Sequence, residues 1–196
     1  MRNHLVIFVK EPRIGRVKTR LARDIGKVPA WRFYRQMLGT IPARLKGKGP
    51  WYTVISYSPD GLKPGLLQAR ADSYMAQGSG DLGERMYRPA RTLPAGSFVV
   101  IGSDIPHITP AHIRKAFKLL GHNDAVFGPA DDGGFWLVGL KRHPILSNPY
   151  NKTVRWSHPE TLEDCVRNLK GKKVAFLETL TDVDDGPSFR RWRENL

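Results

Sequence analysis

The chain has 196 residues, 40% hydrophobic and 26% charged, which suits a soluble globular protein with a real core and excludes a disordered or fibrous one. A single cysteine rules out an internal disulfide, and the apolar run Leu5 to Val9, ended by Lys10-Glu11, is too short for a membrane span or signal peptide, so a cytoplasmic protein is expected. The net charge of +14 is uneven: residues 1–50 hold 13 Lys/Arg against 2 Asp/Glu, net +11, and the remainder 19 against 16, net +3, so the N-terminal part should attract an anion such as a nucleotide, nucleic acid or membrane surface.

Leu5-Val-Ile-Phe-Val9 reads as a first strand, buried on both faces. In Lys10-Glu-Pro-Arg-Ile-Gly-Arg-Val-Lys-Thr-Arg-Leu21, Pro12 and Gly15 make a loop. A helix is expected from about Arg16, with Val17, Leu21 and Ile25 on one face and Gly26 at its end. A strand, a glycine-containing loop and a helix N-terminus form an anion site, because free backbone N–H groups point at the ligand. Lys18 and Arg20 add charge-assisted contacts to phosphate. The glycine spacing fits neither a P-loop nor a dinucleotide fingerprint. Basic residues at a helix start oppose its macrodipole, a local conflict that points to a ligand.

Trp31, Tyr34, Leu38, Ile41 and Leu45 have helical spacing, with a bend at Pro42, and their aromatic stripe reads as core. Trp51 to Tyr57 is a strand closed by Pro59-Asp-Gly61, residues 62–70 suggest a short helix, and Ser73 to Ala76 a short strand. In Gln77-Gly-Ser-Gly-Asp-Leu-Gly-Glu-Arg-Met86, Asp81 and Glu84 have capping-box spacing, and the glycine-rich turn before the helix can also approach a base or ribose.

Phe98 to Ile101 is the most informative strand: its apolar residues suit burial on both faces, and Gly102, Asp104 and Pro106 follow. Pro106 keeps the strand from continuing in a sheet centre. In open α/β sheets ligands bind beyond the carboxyl ends of the strands, so Asp104 is a candidate ligand for a hard cation such as Mg²⁺. The alternative is an acid that caps a turn or the next helix. Thr109-Pro110 opens a helix through Ile113, Phe117 and Leu120 to Gly121. Asp124 to Ala130 and Phe135 to Leu140 are strands around Asp131-Asp-Gly-Gly134, where Asp132 either shapes a β-turn or faces a site.

Residues 141–156 read as a loop, with Pro144, Pro149 and Asn151. Ser157-His-Pro-Glu160 has capping-box spacing ahead of a helix whose apolar face includes Cys165, a core residue rather than a nucleophile. Val174 to Leu180 is the last strand, followed by the acids of Thr181-Asp-Val-Asp-Asp-Gly-Pro187 and a basic helix from about Ser188. The order, mainly β-α-β-α-β-α-β-β-α-β-α, predicts an α/β fold with a mostly parallel sheet in a single domain over residues 1–196. The histidines have no metal-binding spacing, and no nucleic-acid motif accompanies the charge.

Assembled, the stretches Phe8-Val-Lys-Glu-Pro-Arg-Ile-Gly-Arg-Val-Lys-Thr-Arg-Leu21, Gly80-Asp-Leu-Gly-Glu-Arg-Met86, Ile101-Gly-Ser-Asp-Ile-Pro106, Gly128-Pro-Ala-Asp-Asp-Gly-Gly-Phe-Trp-Leu-Val-Gly-Leu140, Trp156 with Pro159-Glu160, and Asp182-Val-Asp184 resemble the glycosyltransferase-A-like, nucleotide-diphospho-sugar-transferase superfamily. More closely, the chain is similar to bacterial transferases described as radical-SAM/selenodomain-associated. Lys18-Thr-Arg-Leu21 is also similar to phospholactate guanylyltransferase, which transfers a nucleotidyl group. The resemblance implies a Rossmann-like glycosyltransferase-A fold, its central sheet flanked by helices. It also implies a metal-dependent transferase with a nucleotide-sugar or NTP donor, a small-molecule acceptor, and Mg²⁺ or Mn²⁺. Gly15, Lys18 and Arg20 would hold the nucleotide phosphates, and Gly80, Gly83 and Glu84 would lie near the base. Asp104 would bind the metal, Asp184, with Asp182, would complete the metal site, and Asp132 would act as base on the acceptor side. The match departs at Ile105, where the family usually has cysteine, at His158, where it has threonine, and at Asp185-Gly-Pro-Ser188, where it has Thr-Pro-Glu-Asp. Glycosyl transfer is the leading expectation. The alternatives are nucleotidyl transfer with release of pyrophosphate and a non-catalytic nucleotide- or nucleic-acid-binding protein; nucleic acid is not the expected partner.

Overall fold

The computed structural model describes residues 2–142 and 146–194, so Pro144 of the expected loop lies outside the described residues. In chain order the elements are β1 (Asn3–Lys10), α1 (Leu21–Ile25), α2 (Lys27–Leu45), β2 (Trp51–Ser58), a 3₁₀ turn (Pro64–Leu67), β3 (Ser73–Ala76), α3 (Leu82–Tyr87), α4 (Pro89–Thr92), β4 (Phe98–Ile101), α5 (Pro110–Leu120), β5 (Ala125–Pro129), β6 (Phe135–Leu140), α6 (Thr161–Arg167), β7 (Val174–Phe176) and α7 (Gly186–Glu194). The strands form one seven-stranded sheet in the order β3-β2-β1-β4-β6-β5-β7. Neighbours are parallel except around β6, which runs antiparallel to both β4 and β5. The mostly parallel α/β sheet expected from the sequence is therefore present.

The period of two along each strand divides the core into two layers. Leu5, Ile7, Val99 and Ile101 face a layer closed by Phe33, Met37 and Ile41 of α2 and by Ile113 and Ala116 of α5. Val6, Phe98, Val100 and Val138 face the other, closed by Met86, Ala90, Cys165 and Leu169. Burial on both faces explains why β1 and β4 read as continuous apolar runs rather than alternating ones. Cys165 is fully buried, as a core residue should be. Among the described residues, no helix is long and apolar enough to cross a membrane.

Sequence-derived helix starts hold where the capping bonds form and shift where the backbone turns away or a neighbouring residue takes the cap's side chain. Asp81 with Glu84 and Thr109 with His112 both close capping boxes. The first helix does not begin near Arg16; it begins at Leu21, because Gly15 and Lys18 hold φ of +74° and +47°, outside the right-handed region. The expected box at Ser157-His-Pro-Glu160 does not form: the Glu160 carboxylate pairs with Arg155 instead. The last strand ends at Phe176, and Leu180 makes only an isolated parallel bridge to Ala130.

The strand order reverses between the parallel neighbours β1 and β4, since β2 and β3 follow on one side while β6, β5 and β7 lie on the other. A crevice opens outside the carboxyl ends of the strands at such a switch point. The segments after β1, β4, β5 and β7 all emerge there.

Candidate active site

Two cavities meet at this switch point. The first, of about 470 Å³, is lined by Lys10, Arg16, Lys18, Arg20 and Arg85 together with Gln77. Its floor is the loop after β1, held from behind by α2. Trp31 Nε1 donates to the Pro12 carbonyl at 2.6 Å, and the Tyr34 hydroxyl accepts from Lys10 N at 2.7 Å and donates to Lys10 O at 3.0 Å. The aromatic residues of α2 thus fix the loop with their polar atoms as well as filling core. Buried Gln77 donates from Nε2 to Val9 O and Ser56 O, tying the ends of β1 and β2 together beneath the same cavity.

Asp104 stands on the border. Gly102 leaves room for the Asp104 carboxylate in its present position, since a Cβ there would come within 2.7 Å of Asp104 Oδ1 and push that side chain aside. Val183 N pairs with the Asp104 carbonyl at 3.4 Å, which brings the acidic segment after β7 alongside. Lys18 Nζ then reaches Asp104 Oδ2 at 3.0 Å and Asp184 Oδ1 at 3.3 Å, and Arg20 Nη1 reaches Asp184 Oδ2 at 3.2 Å. Burial works against the charge on Lys18, but Asp104 and Asp184 outweigh it and raise the ammonium above its usual range. Asp182 is half-buried. Burial and the neighbouring Asp104, Asp184 and Asp132 push its carboxyl up to about 6 against the opposing pull of Lys18.

The second cavity, of about 410 Å³, lies on the other side of Asp104. Phe8, Phe135, Trp136 and Trp156 line it together with Asp104, Asp132 and Asp182. Phe8, Gly102 and Asp104 are common to both cavities. A register shift between Gly128 and Pro129 ends β5 at this rim. Asp132 Oδ1 accepts from Gly134 N at 2.9 Å, so the acid shapes its turn while exposed beside the cavity. Gly133, at φ +83°, packs so closely on the Pro159 carbonyl that a Cβ would sit 1.8 Å from the oxygen. That contact fastens the turn to the segment carrying Trp156, and Arg155 anchors the segment in turn through paired bonds of 2.8 Å to buried Asp164.

Of the residues singled out from sequence, Lys18 and Arg20 line the basic cavity with Asp104 and Asp184, and Asp132 lines the second. Gly15 shapes the turn before Lys18 without lining either cavity. Gly80, Gly83 and Glu84 line a separate cavity of about 350 Å³. Gly83 is buried against Tyr150 and Trp156, and Glu84 closes the cap of α3 with Asp81 at 2.9 Å. Sequence reasoning missed Arg85 and Phe8, which line the basic cavity. Arg85 was visible only as the residue between Leu82 and Met86, whose i, i+4 spacing turns both toward the second cavity.

Residues 41–158 match the sequence pattern of a family described as an uncharacterized protein conserved in bacteria (DUF2064). The chain belongs to this family. No curated protein sequence matches it significantly. Among solved structures, a candidate nucleotide-diphospho-sugar transferase from Desulfovibrio desulfuricans G20 is 28% identical with a TM-score of 0.86, covering 100% of this chain and 96% of that one. CMP:2-keto-3-deoxy-manno-octonic acid synthetase complexed with CTP is 11% identical, TM-score 0.59, covering 100% and 98%. Rv0371c from Mycobacterium tuberculosis H37Rv, in a complex with manganese, is 16% identical, TM-score 0.54, covering 100% of both chains. The last two are likenesses of fold. Together the matches give this DUF2064 chain the glycosyltransferase-A-like fold, and the neighbours named for their activity are transferases that handle nucleotides or nucleotide sugars.

The donor set in this family member suits a hard cation. Asp104 and Asp184 aim anionic oxygens at one position, where Lys18 places an ammonium. Among the described residues, no three His, Cys, Asp or Glu side chains gather as a metal cluster. Two carboxylates are nevertheless what Mg²⁺ uses when substrate phosphates supply its remaining ligands.

Proposed function

We propose that this protein is a metal-assisted transferase that binds a nucleotide-sugar donor in the basic cavity and transfers the glycosyl group to an acceptor in the aromatic, acid-lined cavity. The observation that carries the reading is the junction of the two cavities at Asp104, with Lys and Arg side chains on one side and carboxylates and rings on the other. Arg16, Arg20 and Arg85 supply charge-assisted contacts to the diphosphate, and Lys18, held between Asp104 and Asp184, joins them when a metal takes those carboxylates. Asp104 and Asp184 would hold the metal, and a bound Mg²⁺ or Mn²⁺ would supply positive charge against the negative charge developing on the leaving phosphate. Asp132 takes the proton from the acceptor hydroxyl as its oxygen bonds to the anomeric carbon, and the bond from that carbon to the diphosphate breaks, releasing the nucleoside diphosphate.

Nucleotidyl transfer is the second reading, favoured by the number of cations around the basic cavity, which suits a triphosphate as well as a diphosphate. Incubation with a panel of NTPs and nucleotide sugars in Mn²⁺, followed by product analysis, separates the two. Nucleoside diphosphate release supports glycosyl transfer, and pyrophosphate release supports nucleotidyl transfer. Failure of every nucleotide to bind overturns both.

A further inference from the structure

We propose that the aromatic cavity selects a neutral or cationic hydroxyl acceptor with an apolar body and excludes an anionic one. This rests on the division into donor and acceptor sides made above. The chain carries a net charge of +14, yet among the described residues lining this cavity there is no lysine or arginine. Its charged side chains are Asp104, Asp132 and Asp182, with His158 at the edge. Across Asp104 the sign reverses, and the neighbouring cavity holds Lys10, Arg16, Lys18, Arg20 and Arg85.

An acceptor phosphate or carboxylate entering the acidic side would face Asp132, Asp182 and Asp104 with no lysine or arginine on the lining to pair with, because Lys18, beyond Asp104, is already engaged by Asp104 and Asp184, and like-charge juxtaposition is how binding sites reject wrong partners. The half-buried rings of Phe8, Phe135 and Trp156 offer apolar faces to a carbon skeleton, with buried Trp136 behind them, and such faces also attract a cation. Leu82 sits at the mouth, 44% exposed, and extends the apolar surface outward.

Three probes of one ring and similar size test the selection: tyrosol (neutral), tyramine (cationic) and 4-hydroxyphenylacetate (anionic). Each is titrated into the full chain while the indole N–H resonances of Trp136 and Trp156 are followed, so that binding in this cavity is separated from anion binding in the basic one. Tyrosol and tyramine should shift these resonances, and 4-hydroxyphenylacetate should bind at least about tenfold more weakly. Leu82→Arg, at an exposed rim position, should strengthen 4-hydroxyphenylacetate and weaken tyramine. Equal binding of all three probes, binding of none, or an unchanged order in Leu82→Arg overturns the proposal. A parallel titration with UDP, CDP and GDP keeps the failures apart: absent nucleotide binding removes the donor reading, while the probe order still decides the charge class of this cavity.

Discussion

Lys18 Nζ donates to Asp104 Oδ2 at 3.0 Å across 86 residues of sequence. The lysine side chain is only 5% exposed, while Asp104 and its second partner Asp184 remain 37% and 34% exposed. The carboxylates are open to an incoming ligand, and the cation between them is not. If Asp104 and Asp184 hold a divalent ion as proposed, the ammonium stands in its place, and the two would compete for the same oxygens.

Replacing Lys18 with alanine should lower stability by about 1–2 kcal/mol, less than for a fully buried pair because both acids are solvent-screened. Mn²⁺ should then raise the melting temperature of Lys18→Ala more than that of wild type, since the ion no longer displaces an ammonium. Thermal unfolding with and without Mn²⁺ reads both effects. Equal Mn²⁺ shifts in the two proteins would show that lysine and metal do not share a position.

Asp104→Asn addresses the metal from the other side. If phosphates complete the ion's shell, metal and nucleotide must tighten one another by the same factor. Asn keeps the size of Asp104 and removes its charge, so it should abolish most of that coupling, and Asp184→Asn should do so less completely because Arg20 also engages Asp184. Calorimetric nucleotide affinity with and without Mn²⁺ in the three proteins decides it; full coupling in Asp104→Asn would leave that residue as a turn acid.

The parts of this site legible in the sequence are those written locally. Phe98–Ile101 announced β4 by composition, and Gly102, Asp104 and Pro106 announced its end. The pairing of Asp81 with Glu84 needs only a spacing of three. What was not legible depends on distant partners. Lys18 meets Asp184 across 166 residues, and that meeting accompanies a backbone turn where helical spacing alone predicts a helix. The Trp31 and Tyr34 rings are spaced as core, yet their polar atoms hold the basic loop, because a buried indole N–H or hydroxyl must find an acceptor. Asp185-Gly-Pro-Ser188 forms the start of α7: Ser188 N donates to Asp185 Oδ1 at 2.8 Å and Gly186 N donates to Asp24 at 2.7 Å. The altered residues after Asp184 thus have a structural role of their own.

Asp132 offers a clean separation of folding from chemistry. Its Oδ1 accepts from Gly134 N, and an asparagine oxygen accepts the same bond. Asp132→Asn should leave the melting temperature unchanged and lower kcat by about 10²–10⁴, the usual contribution of a general base. Donor affinity should hardly move. Full turnover on an identified substrate would confine Asp132 to its turn.

Asp182 gives the protein a pH dependence of predictable sign. Its carboxyl is pushed up to about 6 from 3.8, first by burial and then by Asp104, Asp184 and Asp132, with Lys18 pulling the other way. A raised acid binds more protons folded than unfolded, so its contribution is favourable below the unfolded value and is lost as pH rises through the folded one. Wild type should therefore lose stability from this group between about pH 4 and pH 7, by about 1 kcal/mol once the shift is discounted for the solvent that reaches a half-buried side chain. Asp182→Asn carries no such proton. Urea unfolding of both proteins in EDTA at pH 4 and pH 7.5 isolates the term, because contributions from distant groups cancel in the difference. The variant should gain on wild type as pH rises. Parallel pH profiles would mean that Asp182 ionises freely and that the acids around Lys18 do not act as one cluster.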